Sequence, residues 1–295
     1  MQSRLFGGAT DRASVAGSFE ATAMTLKLWQ IDAFAAQPFE GNPAAIVPLE
    51  AWLEAALMQK IAEENNLAET AFFVRRGEGR YELRWFTPSG EVDLCGHATL
   101  ASAWLIFERL EPGLGSVSFE TRSGALVVER GEGGVNRMSL PSDIVAPYEE
   151  EDGFASQIGE ALGIPPASEI FRGRYVMAVW DKPEIIRAIR DCGHIADVLR
   201  PLDMWGLIVT APGDAGYDFV SRFFAPDKGV PEDPVTGSAH CALAPFWAKR
   251  LGRTALRARQ ESPRGGDLFC VVDGARTILS GPCALYLEGE IAASV

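Results

Sequence analysis

Cysteine and histidine are scarce in this chain of 295 residues, long apolar runs are missing, and basic side chains are outnumbered. The five cysteines, Cys95, Cys192, Cys241, Cys270 and Cys283, are odd in number and form no CxxC, so neither a disulfide framework nor a zinc site is indicated. His97, His194 and His240 are too few and too scattered for a metal site to be expected. No apolar run approaches the ~20 residues of a membrane span, and the N-terminus lacks the apolar core of a secretion signal. A cytoplasmic location without membrane attachment is therefore expected. With 27 Lys and Arg against 40 Asp and Glu, the net charge of −13 argues against nucleic acid, whose phosphates need clustered cations. It also offers no long-range attraction to an anion, which local donors would have to hold. Walker, GxSxG and strand-following GxGxxG motifs are missing too, which leaves nucleotide cofactors and hydrolase chemistry without support.

What is present centres on EDPVTGSAH, Glu232 to His240. The strand-like YDFVSRFFAP feeds it, and the apolar run CALAPFWAKRL, a buried helix by composition, follows it. Thr236, Gly237 and Ser238 can cap that helix and leave its first N–H groups free to hold an anion. A kink is expected at Pro245, whose ring presses on the carbonyl of Cys241.

A second, imperfect copy lies upstream. RWFTP at Arg84–Pro88 matches RFFAP at Arg222–Pro226, an offset of 222 − 84 = 138. Gly96 of LCGHATLASAW answers Gly237 of VTGSAHCALAPFW at 237 − 96 = 141, because the loops differ in length. Each copy reads strand, acid-bearing loop, glycine, apolar helix. Duplication predicts two related units with one cleft between two facing helix N-termini.

The rest of the chain fits that division. Residues 1–23 show no periodicity and read as a disordered tail. Residues 24–140 form a first lobe and 141–284 a second, with the last strand, near 285–295, a candidate to return to the first. QPFEGNP reads as a turn cluster, Leu53, Leu57 and Ile61 mark a helix ending near Asn65, and helices are expected over His97–Leu110 and PEIIRAIRDCGHIADVLR. Each half is a mixed unit with one central helix wrapped by strands. In LAETAFFV, alternation puts Glu69 on one face with Ala71 and Phe73, in a largely apolar strand. A carboxylate there is either solvated at an edge or buried for a purpose.

Glu69, His97, Asp233 and Ser238, gathered near the two helix starts, suggest proton transfer on a small anionic molecule. A carboxyl in an apolar setting can take and return a proton, while helix N–H groups of Gly96 and Gly237 hold a carboxylate and stabilise nearby charge.

NNLAETAFFV, LRWFTPSGEVDLCGHATLASA and SRFFAPDKGVPEDPVTGSAHCALAPFW together resemble the PhzF family of phenazine-biosynthesis-like isomerases, from about Leu26 to the C-terminus. The resemblance implies an α+β fold like that of diaminopimelate epimerase: two pseudo-symmetric lobes, each a mostly antiparallel sheet wrapped around a central helix. It implies Glu69 as general acid/base, His97, Asp233 and Ser238 around the substrate, no metal, no organic cofactor, and a homodimer. The family's best-known reaction isomerises trans-2,3-dihydro-3-hydroxyanthranilate. A two-thiol racemase or epimerase on the same fold is the rival enzyme, but Thr236 stands where its second cysteine would be, opposite Cys95. A ligand-binding member without turnover is the rival from another class.

Overall fold

The computed structural model describes residues 23–149 and 153–294. All but the last residue of the expected tail lie outside them. The first lobe runs β1 (Ala23–Ala33), β2 (Asn42–Leu49), α1 (Ala55–Asn65), β3 (Glu69–Gly77), β4 (Arg80–Thr87), β5 (Gly90–Val92), α2 (Gly96–Leu105), β6 (Ser116–Thr121), β7 (Gly124–Arg130) and β8 (Asn136–Pro141). The second runs β9 (Ala146–Pro147), α3 (Phe154–Leu162), β10 (Glu169–Arg172), β11 (Val176–Val179), α4 (Pro183–Ala188), α5 (Ile195–Leu199), β12 (Leu207–Pro212), β13 (Phe219–Ala225), β14 (Val230–Asp233), α6 (Gly237–Leu251), β15 (Ala255–Gln260), β16 (Gly266–Asp273) and β17 (Arg276–Gly281). The final strand, β18 (Cys283–Ser294), pairs antiparallel with β1.

The two lobes repeat one pattern. In the first, β2 and β3 are parallel, joined by α1, and β3, β4, β6, β7 and β8 follow side by side. In the second, β11 and β12 are parallel, joined by α4 and α5, and β12, β13, β15, β16 and β17 follow in the same way. The copies meet where β8 pairs with β17, Met138 opposite Leu279. Their separation, 279 − 138 = 141, equals that of Gly96 and Gly237, so the internal duplication extends to the seam itself.

Each sheet has two apolar faces because helices cover both. The inner faces and the two central helices form one core, in which Leu100 and Phe107 share a cluster with Leu243 and Trp247. Outside, Met58 and Ile61 of α1 pack on Val47, Phe72 and Val74, and α3 to α5 cover Val176, Val209 and Val220.

Two helices differ from expectation. The one expected over His97–Leu110 is α-helical to Leu105 and continues as a π-turn over Ile106–Leu110. Its end is set by Glu111, whose N–H reaches Ile106 O at 2.7 Å while its carboxylate is held by Arg75 and Tyr81. PEIIRAIRDCGHIADVLR forms not one helix but α4 and α5. Ile189 is extended, and Gly193 has φ +48 against Ala161 O, where no Cβ fits. Pro245 does lie inside α6, and the Cys241 carbonyl it deprives of a partner accepts the Asp143 N–H at 3.0 Å.

Candidate active site

Glu69 opens β3. Ala71 and Phe73 belong to the core around α2, whereas Phe72 and Val74 pack beneath α1, so alternation turns Glu69 toward α2. There its Oε2 lies 3.1 Å from Nε2 of the buried His97. The orientation of that contact is not that of a hydrogen bond, and both atoms are buried without a hydrogen-bond partner. On the other side of the ring, Nδ1 lies 3.5 Å from the Cys95 sulfur. Burial penalises the imidazolium, but the neighbouring Cys95 and Glu69 outweigh it and raise His97 well above the ordinary imidazole value. Burial, reinforced by the Glu69 charge, pushes the Cys95 thiol up to about 11, which keeps it protonated and poorly nucleophilic.

Asp233 closes β14 on the other lobe. Asn42 donates to its Oδ1 at 2.7 Å and Thr236 Oγ1 donates to its Oδ2 at 2.5 Å. Burial pushes its carboxyl up to about 6; His97 pulls it down, Glu69 pushes it further up, and the Thr236 and Asn42 hydrogen bonds lower it. Glu69, His97 and Asp233 thus act on one another's charge across the junction of the lobes. Gln260, fully buried, secures the loop: its Nε2 donates to Asp233 O at 2.6 Å and its Oε1 accepts the Thr236 N–H at 2.9 Å.

Thr236 does not cap α6, as its sequence position suggested. Its hydroxyl is turned to Asp233, and neither Thr236 nor Cys95 closes the first turn of its helix with a side-chain hydrogen bond. The two helix starts abut. A Cβ built on Gly96 would lie 3.8 Å from the Gly237 Cα and 3.4 Å from Met138 Cε, and one on Gly237 would lie 3.6 Å from Leu279 Cδ1. Ser238, next in α6, exchanges a 2.9 Å hydrogen bond with the Tyr175 hydroxyl. Tyr175 stacks edge-on against Trp205 and Phe223.

Register identifies which positions the duplication relates. Thr70 pairs with Phe86 and Leu207 with Phe224, and 224 − 86 = 138, so Glu69 corresponds to Gly206. Trp85 pairs with Val92 and Phe223 with Asp233, so Asp233 corresponds to Val92. His97 corresponds to Ser238 and Cys95 to Thr236 at the offset of the glycines. The scaffold is two-fold, but its functional groups are not. The buttress behind the groups is again two-fold: Arg84 grips Glu91 through Nε and Nη2 at 2.7 and 2.8 Å, and Arg222 grips Glu232 at 2.6 and 2.8 Å.

All six residues singled out from sequence, Glu69, Gly96, His97, Asp233, Gly237 and Ser238, come together around the two abutting helix starts. Asn42, Tyr175, Gly206 and Gln260 were not identified. Asn42 reads as part of a tight turn in QPFEGNP, and the others lie in no motif; only tertiary pairing brings them in. His240, prominent in the central motif, is structural: burial lowers it to about 4, and Nδ1 meets Thr236 O at 2.8 Å. No metal site was expected, yet Glu69, Cys95 and His97 bring a carboxylate oxygen, a sulfur and a ring nitrogen within 4.8 Å of one another. Among the described residues, no helix is long and apolar enough to cross a membrane.

Residues 31–290 match the sequence profile of the PhzC-PhzF family, described as phenazine biosynthesis-like proteins. An uncharacterized isomerase of Pseudomonas aeruginosa is 48% identical over 268 residues, covering 91% of this chain and 99% of that protein. The crystal structure of a PhzF-family phenazine biosynthesis protein from Enterococcus faecalis superposes with a TM-score of 0.84 at 42% identity, over 91% of this chain and 99% of that one. A hydroxyproline epimerase from Agrobacterium vitis shares the fold, with a TM-score of 0.56 at 11% identity over 92% and 93% of the two chains.

Proposed function

Because this chain belongs to the phenazine biosynthesis-like PhzC-PhzF family, with a relative named as an isomerase at 48% identity, we propose that it is an isomerase that moves a proton within a small carboxylate-bearing substrate through Glu69 alone. The observation that carries the single-base reading is the asymmetry of the site. A two-thiol racemase or epimerase needs a cysteine at each helix start, and here Thr236 stands opposite Cys95, while Gly206 stands opposite Glu69. The fold is epimerase-like; the equipment is not.

In this reading the Glu69 carboxylate takes a proton from a carbon made acidic by a neighbouring unsaturated acid or carbonyl. The electron pair left behind spreads into that conjugated system, and the Glu69 carboxyl returns the proton to another carbon on the same face. His97, held beside Glu69, and Asp233, fixed by Asn42 and Thr236, orient the substrate and balance the charge that appears. Ser238 and the uncapped first turns of α2 and α6 hold the substrate carboxylate, an anion that the net charge of −13 would not otherwise attract. The substrate is trans-2,3-dihydro-3-hydroxyanthranilate or a related compound, no metal or organic cofactor takes part in the transfer, and the protein works as a homodimer.

The test is a screen of small carboxylates for catalysed deuterium uptake from heavy water, followed by Glu69→Gln on the substrate found. Turnover should fall by the ~10²- to 10⁴-fold typical of losing a general acid or base, with melting temperature preserved. With substrate deuterated at the donor carbon, the wild type should deliver part of the label to the acceptor carbon. Equal rates for wild type and variant would remove Glu69 from the mechanism, and a wild type that exchanges nothing would favour a ligand-binding role.

A further inference from the structure

Asn42 and Asp233 come from opposite lobes, and each is delivered to their 2.7 Å hydrogen bond by an irregular loop. The loop after β1 is strained: Phe34, Phe39 and Gly41 have φ of +59, +78 and +64, although two of the three carry a Cβ. Such residues persist only where their surroundings fix them, and strain of this kind concentrates at functional positions. What fixes this loop is one turn, residues 260–266 between β15 and β16. Arg264 donates from Nε to Gly41 O and from Nη2 to Glu40 O, both at 2.9 Å, and its Nη2 pairs with Asp32 Oδ1 at 3.0 Å. Asp32, 1% exposed, accepts the Phe39 N–H at 2.9 Å on its other oxygen, and Gly265 O accepts the Gly41 N–H at 2.7 Å.

The same turn grips the loop that carries Asp233. Besides the Gln260 bonds to Asp233 and Thr236, Ser262 Oγ donates to Pro234 O at 2.8 Å. Gly266 is wedged where the two loops touch: a Cβ there would strike Val235 and lie 3.4 Å from Gly41 Cα. One turn therefore sets both the donor and the acceptor of a contact between residues 191 apart. The antiparallel pairing of β15 with β16 closes the sheet without any of these bonds.

We infer that Arg264 is a positioning residue of the candidate active site: it holds the Phe39–Gly41 backbone in the form that lets Asn42 donate to Asp233. The positioning of Asp233 stands on geometry alone, whereas its effect on turnover rests on the proposed function. Lysine in place of Arg264 keeps a cation beside Asp32 but lacks the planar fork that reaches two carbonyls and a carboxylate at once. The loop then relaxes and Asn42 withdraws. Because the Asn42 hydrogen bond lowers the Asp233 carboxyl, its loss should move that titration up from about 6, while Glu69 and His97, which also act on it, stay in place.

The Asp233 carboxyl is titrated by NMR in the full chain with carboxyl-labelled aspartate, its resonance identified by its absence in Asp233→Asn. Heavy-water exchange is measured alongside, on the substrate identified by the carboxylate screen. Arg264→Lys and Asn42→Ala should each raise the titration and slow exchange roughly 2- to 10-fold, the worth of one hydrogen bond. The double variant should do no more than Asn42→Ala alone, since sites that act through one another are not additive. Asp32→Asn combined with Arg264→Gln leaves no buried carboxylate unpaired and should give the same upward shift. Glu261→Gln, on the same turn but bound to Arg187 and Arg259, should leave the Asp233 titration unchanged, which tells positioning apart from a general loosening of the turn. An Asp233 titration unmoved in both Arg264→Lys and the neutral pair, or additive effects in the double variant, would overturn the inference. A coupled shift in titration with exchange still at full rate would uphold the positioning and count against Asp233 in the proposed reaction.

Discussion

Gly206 holds in the second lobe the register position that Glu69 holds in the first, and the space its side chain would need is filled. A Cβ built there lies 2.7 Å from Tyr175 Cδ1 and 2.9 Å from Phe223 Cζ, contacts that real Cβ atoms do not make. The mirror image of the acid is thus replaced by aromatic rings. Gly206→Ala should cost roughly 1 to 3 kcal/mol, the usual penalty for overpacking a well-filled site, read as a lower urea midpoint. An unchanged midpoint would mean that the two rings yield without cost and that the second half-site is open.

Tyr175 donates to, or accepts from, the hydroxyl of Ser238, and burial raises the phenol so that it stays neutral at physiological pH. Tyr175→Phe keeps the ring and deletes this partner. Losing one such bond is worth about 0.5 to 1.5 kcal/mol, so KM should rise roughly 2- to 10-fold while kcat changes little. A fall in kcat with KM constant would instead assign Tyr175 to the proton transfer.

The two bidentate pairs should differ in weight because they differ in burial. Arg222 is 4% exposed at its side chain, and its Nη1 also ties down Ile189 O at 2.6 Å, whereas Arg84 is 23% exposed. Glu232→Gln leaves the Arg222 guanidinium buried without its counter-charge and should lose about 3 to 5 kcal/mol of stability. Glu91→Gln, beside a wetter arginine, should lose less. Equal losses in chemical denaturation would contradict this ranking.

Asp233 makes stability depend on pH with a definite sign. Its carboxyl is raised to about 6 in the folded protein, so between the ordinary value, 3.8, and about 6 the folded state binds the extra proton. Stability from this group is fully present below the unfolded value and declines as pH rises through that window, by up to about 3 kcal/mol. His240, lowered to about 4, works in the opposite direction over the same range. The difference between wild type and Asp233→Asn isolates the Asp233 part: the variant should lose the decline between about pH 4 and 6, and parallel profiles would show that Asp233 is not perturbed.

Sequence reading reached the duplication, the facing helix starts and the face of Glu69, because each is written in local spacing or in an offset that survives divergence. Period two shows which residues share a face with Glu69 once β3 is recognised, but both faces are apolar, so that this one meets α2 is seen only in the fold. Gly206 was beyond reach for the opposite reason: its meaning lies in strand register, which appears only when β12 is paired with β13. Asn42 and Gln260 are similar, since their partners lie 191 and 27 residues away. The break between α4 and α5 was missed because apolar periodicity continues across it, while the interruption is set by the backbone at Gly193 pressed against Ala161.

The pairing of β8 with β17, six residues on each side, has a consequence for folding. It runs behind the abutting glycines and joins the two sheets at the place where a cleft between separate domains would have a hinge. With Leu100 and Trp247 in one apolar cluster as well, neither half owns a complete core. The protein should melt as one cooperative unit, and either half expressed alone should be unable to keep its shape, although the two descend from a common pattern. One pattern used twice makes a structure that cannot be halved.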